Sequence, residues 1–234
     1  MPQAEVRRMR AVCAGGLHNG MKIRYQTGMQ SEISDKRKQR IDQVLARRQK
    51  DLTLVMDNIW DPHNVSAVLR SCDAFGVSDV HLYYTTSQWP DLGKKSSGSA
   101  MKWIRLIRHV DAATMVGNLV GGGGSAHDGG QILRTGFSAT ARPVMDFDFT
   151  IPTAIILSNE HRGTSPELAA LVPDEVYIPM QGMVQSLNVS VAAAIILYEA
   201  FTQRKRAGLY DAPSFSDEEL AALRAEWRTV QRGQ

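Results

Sequence analysis

No run of about 18 apolar residues occurs in this chain, which excludes a helix that spans a membrane. The amino terminus is basic, but no apolar segment follows it, so it does not read as a secretory signal. Only two cysteines occur, Cys13 and Cys72, too few for a disulfide framework. A reducing cytoplasm is the simplest home for such a chain. The Asn-x-Ser tripeptides at Asn64 and Asn188 are then not glycosylation sites and call for another explanation. No His, Cys, Asp and Glu stand at metal-ligand spacing, and neither a Gly-x-Ser-x-Gly elbow nor a Walker sequence is present. Hydrolase and nucleoside-triphosphatase readings lose their support. Residues 121–130 hold six glycines in ten, but not at phosphate-binding spacing, and read as a flexible surface insertion.

What is present is an uneven charge. Residues 1–50 carry twelve Lys or Arg against four Asp or Glu, whereas the rest of the chain is slightly acidic. That asymmetry points to a polyanion partner. Residues 1–33 have no periodicity and read as a mobile basic arm. Residues 34–50 read as a basic helix with a narrow apolar stripe of Ile41, Val44 and Leu45. Its other faces carry Arg40, Arg47 and Arg48 among other cations, placed to meet phosphates.

From Leu52 strands and helices alternate. Strands are expected at 52–56, 80–84, 103–107, 131–135, 154–158 and 176–178. Val65, Val68, Leu69 and Cys72 fall on the buried face of a helix, with Ser66, Arg70 and Asp73 on another. A helix from about Leu187 follows the turn Pro179-Met180-Gln181-Gly182-Met183, with Ser186 as the expected N-cap. Its end, Arg204-Lys205-Arg206, suits the helix dipole. A last amphipathic helix places Leu220, Leu223 and Trp227 on one face. The order specifies an α/β fold with a mostly parallel sheet and helices on both faces. Asn159 and Glu160, at a strand's carboxyl end, stand where such sheets hold ligands.

Three stretches carry more. They are Asn64-Val-Ser-Ala-Val-Leu-Arg70, Leu157-Ser-Asn-Glu160-His-Arg-Gly163, and the segment from Ile178 through Gln185-Ser186-Leu187-Asn188 to Val191. In that order they resemble the three motifs of the SPOUT RNA methyltransferases, and among these the TrmH type, over residues 40–206. The resemblance implies a deep trefoil knot near the carboxyl end, S-adenosyl-methionine as cofactor, and a homodimer whose sites draw on both subunits. It implies terminal basic helices that hold tRNA, and 2′-O-methylation of a guanosine ribose in the D-loop. Residue by residue, it makes Arg70, Asn64, Glu160, Ser186 and Asn188 catalytic. It sets Thr135, Leu157, Gly163, Ile178, Met180 and Leu187 around the cofactor. The resulting divisions are a 1–33 arm, a 34–50 RNA-contacting helix, a 51–206 methyltransferase domain and a 207–234 helical extension. The same reaction on ribosomal RNA or another tRNA position, and an RNA-binding dimer without catalysis, are the alternatives. No metal and no membrane enter.

RNA affinity measured by filter binding is expected to fall linearly in its logarithm as salt rises, because phosphate contacts release counterions. A flat response would remove the polyanion reading.

Overall fold

The computed structural model describes residues 33–90, 100–120, 129–159 and 161–229. The arm at 1–32, Glu160 and the glycine run at 121–128 lie outside the described residues.

The elements are α1 (Asp35–Leu45), β1 (Leu52–Asp57), α2 (Pro62–Phe75), β2 (Asp79–Tyr83), β3 (Arg105–His109), α3 (Ala112–Val120), β4 (Gln131–Thr135), β5 (Arg142–Pro143), β6 (Thr153–Leu157), α4 (Pro166–Leu171), β7 (Glu175–Tyr177), α5 (Val189–Arg206) and α6 (Asp217–Thr229). The strands form one parallel sheet in the order β3-β2-β1-β6-β4-β7-β5. The chain winds outward from β1 through β2 to β3, and the other four strands lie on the opposite side of β1. The reversal therefore falls at the β1–β6 pair, where Met56 stands beside Leu157. Ligands of such sheets bind beyond the carboxyl ends at this point.

The central strands read as unbroken apolar runs because both their faces are covered. Every residue of β1 and β6 is buried. Leu52, Leu54 and Met56 pack with α2 and α5, whereas Val55 and Ile156 pack with Met115, Leu119 and Leu168 of α3 and α4. A third cluster joins the terminal helices: Ile41 and Leu45 of α1 meet Leu220 and Trp227 of α6. Among the described residues no helix is long and apolar enough to cross a membrane. No group of three or more His, Cys, Asp or Glu among them could hold a metal.

Several charged groups lie elsewhere than expected. Arg48 is buried and offers nothing to phosphate. Helix α1 ends at Leu45, and the turn that follows aims Arg48 inward. There it donates to the carbonyls of Val77 (2.7 Å) and Trp103 (3.2 Å), pairs with Asp73 and lies over the Trp227 ring. Arg204 lies in the last turn of α5, as expected, but its side chain is fully buried. Its guanidinium donates to Phe149 O, Asp51 Oδ1, Gln49 Oε1 and Ile151 O. Of the two terminal helices only α1 is basic. In α6, Asp217, Glu218, Glu219 and Glu226 outnumber Arg224 and Arg228. Ser66 is buried with the apolar face of α2 rather than apart from it. That helix ends at Gly76 with φ +83°, where an added Cβ would stand 2.7 Å from the Arg47 carbonyl oxygen.

On β2 and β3 the buried imidazoles of His81 and His109 stack, with Nδ1 and Nε2 2.9 Å apart. Burial, reinforced by His109, brings His81 down to about 4 from an ordinary 6.5. The unfolded chain therefore takes up a proton below pH 6.5 that the folded chain refuses until about pH 4. Stability is lost as pH falls through that window. Urea unfolding is expected to show a share of about 2–3 kcal/mol of acid destabilisation between pH 7 and 4.5 that His81→Phe lacks. An equal loss in the variant would show that His81 is not the group involved.

Candidate active site

Beyond the carboxyl end of β1 the chain turns at Asn58, a non-glycine residue with φ +50°, and starts α2. Asp61 caps that helix by accepting from the His63 amide at 2.8 Å, and Pro62 opens its first turn, where no amide donor is needed. This start brings Asn64 to the sheet's rim, half-buried. Helix α5 arrives at the same rim from the other motif. Its N-cap is Asn188, not Ser186. The helix begins at Val189, so Ser186 lies outside the first turn and is exposed. Asn188 Oδ1 accepts from the Ser190 amide at 2.8 Å and the Ser190 hydroxyl at 2.6 Å. Its Nδ2 donates to Asn64 Oδ1 at 3.1 Å. The two Asn-x-Ser tripeptides thus meet, each at a helix start.

Around this pair lies an open cleft of about 450 Å³ lined by Trp60, Asn64, His161, Ser186, Leu187 and Asn188, among others. Trp60 presents a 68% exposed ring. Sequence reasoning passed over Trp60, Asp61 and His161. Asp61-Pro62 before an apolar-periodic stretch was an available helix-start signal.

The turn after β6 is held by short polar contacts. Asn159 and Gly163 exchange two backbone hydrogen bonds (3.1 and 3.0 Å), and Gly163 takes φ +72°. The Asn159 side chain accepts from the amides of His161 and Arg162. Thr135, at the end of β4, bonds through its hydroxyl to Ser158 at 3.0 Å, and Ser158 in turn contacts Thr164 at 2.7 Å. Asp57 holds the far end of the turn by accepting from the Ser165 amide at 2.6 Å and from its hydroxyl. Burial pushes the Asp57 carboxyl above the usual carboxylate range, against the bonds from Ser165 and Asn58 that favour its charge.

The residues expected around the cofactor divide. Ile178, Met180 and Leu187 are half-buried at the rim. Leu157 is fully buried in the core, so its side chain cannot line a pocket and only its main chain reaches the strand end. Arg70 is not brought to the cleft. It lies six residues past Asn64 along α2, about 9 Å at 1.5 Å per residue, and is exposed with no ion pair or hydrogen bond among the described residues. Arg40 and Arg47 are exposed.

Asn188→Ala is expected to lower stability by about 1 kcal/mol in urea unfolding, the usual cost of losing an N-cap. Asn188→Ser keeps an acceptor for the Ser190 amide and should restore most of that stability while the bond to Asn64 stays broken. Equal losses in both variants would show that the contact with Asn64, not the cap, is what stabilises.

Comparison with known proteins follows the same segments. Residues 51–198 match the model of the SpoU rRNA Methylase family. A tRNA (guanosine(18)-2′-O)-methyltransferase from Thermus thermophilus is 42% identical over 196 residues, covering 84% of this chain and 97% of that protein. The crystal structure of the A. aeolicus TrmH/SpoU tRNA modifying enzyme superposes with a TM-score of 0.76 at 35% identity, over 84% of this chain and 98% of that one. AviRb from Streptomyces viridochromogenes, a SpoU methyltransferase solved in complex with AdoMet, superposes with a TM-score of 0.56 at 26% identity, over 68% of this chain and 59% of that one. A sheet that reverses at β1–β6, motifs that converge on its rim and a likeness that runs almost the full length of two relatives have one explanation: the chain belongs to the SpoU methylase family.

Proposed function

We propose that this protein transfers a methyl group from S-adenosyl-methionine to a ribose 2′-hydroxyl of tRNA, at guanosine 18 of the D-loop, in the cytoplasm. The observation that carries the reading is the meeting of Asn64 with Asn188 on an open cleft at the sheet's switch point. The near full-length likeness to a tRNA guanosine-18 enzyme selects the substrate.

The residues present fit the cofactor. Gly163 and Gly182 have open space where a side chain would stand, so main-chain groups of both turns can be approached closely. Half-buried Ile178, Met180 and Leu187 add apolar surface between polar loops, the mixture that an adenosine requires. Thr135, Gly163, Ile178, Met180, Leu187 and the main chain of Leu157 would hold it. When bound, it supplies an electrophilic methyl group on a sulfonium.

The rest of the chemistry belongs to the chain. A ribose hydroxyl is a weak acid and must lose its proton as it reacts. The proton leaves to a phosphate oxygen of the RNA or to water; Arg70 is not the base, because a guanidinium stays protonated in a protein. It would orient the hydroxyl or a neighbouring phosphate and stabilise the negative charge that develops. Asn64, Ser186, Asn188 and Glu160 would hold the ribose and Arg70 in register, which by itself lowers much of a barrier. Since Arg70 lies outside its own chain's cleft, a second copy would complete the site. Val191, Ile195 and Tyr198 form an exposed apolar stripe at i, i+4 and i+7 on α5, flanked by exposed Met183 and Val184, and suit a homodimer contact. The knotted path of the family and phosphate contacts from Arg40 and Arg47 complete the proposal.

The test is transfer from labelled S-adenosyl-methionine to unmodified tRNA, followed by mapping of the modified nucleotide. A 2′-O-methylguanosine at position 18 is the expected product; transfer to ribosomal RNA alone would keep the chemistry and replace the substrate. Arg70→Ala should cut turnover roughly 10²–10³-fold while the cofactor's Kd stays unchanged. Mixing Arg70→Ala with Asn188→Ala should recover part of the activity; no recovery would mean that both residues act within one chain.

A further inference from the structure

Asn58 takes part in none of the chemistry above, yet its contacts reach from its own turn to two other loops at the reactive end of the sheet. It is buried, with 3% of its surface exposed, and holds φ +50°. Its Oδ1 accepts three consecutive amides, from Thr85, Thr86 and Ser87, at 3.0, 3.0 and 3.1 Å. Its Nδ2 donates to Asp57 Oδ1 at 3.0 Å. Its own amide donates to Tyr83 O at 2.8 Å, and its carbonyl accepts from Asn159 Nδ2. Asn159 then gathers the amides of His161 and Arg162, and Asp57 gathers Ser165. The Asp57-Asn58 pair therefore ties the turn after β6 at both ends and fastens the start of the loop after β2 to the same point.

A left-handed, buried, polar residue is costly unless its surroundings over-determine it, and such residues gather at functional sites. Asparagine is among the few non-glycine types that accept this conformation. The side chain bonds to loop amides and the neighbouring carboxylate rather than to the apolar core beneath. What it fixes is the position of loops that stand where a ligand of this sheet would bind.

We infer that Asn58 is a positioning residue for the cofactor site, acting through Asn159 to set His161, Arg162 and Gly163 against the start of α2. The inference rests on the cofactor reading of the preceding section. The test is a double-mutant cycle on the full-length chain, read by calorimetric binding of S-adenosyl-methionine. Asn58→Gly keeps the left-handed backbone while deleting the side chain, and Asn159→Ala removes the link. Each is expected to raise the cofactor's Kd about tenfold, and the double variant no further than either alone, since residues of one network do not add. Hydrogen exchange supplies a second readout: Asn159→Ala should expose the amides of His161 and Arg162 but leave those of Thr85 to Ser87 protected. If Asn58→Gly does not fold, Asn159→Ala alone decides through its Kd and exchange pattern. A lowered Tm with unchanged Kd, or effects on Kd that add, overturns the inference. An unmutated chain that binds no cofactor would overturn the preceding reading, and this one with it.

Discussion

The buried guanidinium of Arg204 is the contact on which the geometry of this molecule depends. An unpaired cation at that depth would be prohibitively costly. Here the carbonyls of Phe149 and Ile151, the Gln49 side chain and the Asp51 carboxylate share it. All of these belong to segments entering β1 and β6, so the last turn of α5 is locked to the amino ends of the two central strands. An 18-residue helix spans about 27 Å, enough to run the whole length of the five- and six-residue central strands. Anchoring its far end leaves little freedom for its start, and Asn188 is thereby carried to the rim beside Asn64.

That arrangement gives Asn188 two duties that cannot be separated by its position. It satisfies amide donors that a helix start leaves open, and it presents an amide to the neighbouring motif. The cleft around it is polar but holds no cation from α2. Arg70 stands apart from this cleft, and on α5, the helix that Asn188 starts, Val191, Ile195 and Tyr198 leave an exposed apolar stripe. Both observations bear on the proposed second copy.

Much of this was legible in the residues. Leu-Thr-Leu-Val-Met and Ala-Ile-Ile-Leu can hardly be anything but strands covered on both faces, and Val65, Val68, Leu69 and Cys72 mark the buried side of α2 without ambiguity. The motif stretches fall at one rim because strand ends in a parallel sheet share one edge. What failed depends on partners distant in sequence. Nothing local distinguishes Arg48 from Arg47; the carbonyls of Val77 and Trp103 and the carboxylate of Asp73 do so. Ser186 and Asn188 are equally good caps by residue type, and the start of α5 decides between them. The two-residue β5 is too short for any periodicity. Asn58 looks like an ordinary turn residue until three amides are seen to converge on it.

The placement of β6 also constrains how the molecule is made. This strand sits between β1 and β4, although both precede it in the chain. A growing polypeptide can pair β1 with β2 and β3 early, but its sheet lacks its centre until residue 157 has emerged. Until then the inner edges of β1 and β4 are open to pairing with other chains. Contacts of such long separation also make folding slow. The sheet therefore stays open at its centre while the first 157 of 234 residues emerge, and its unpaired inner edges are exposed to aggregation over that interval.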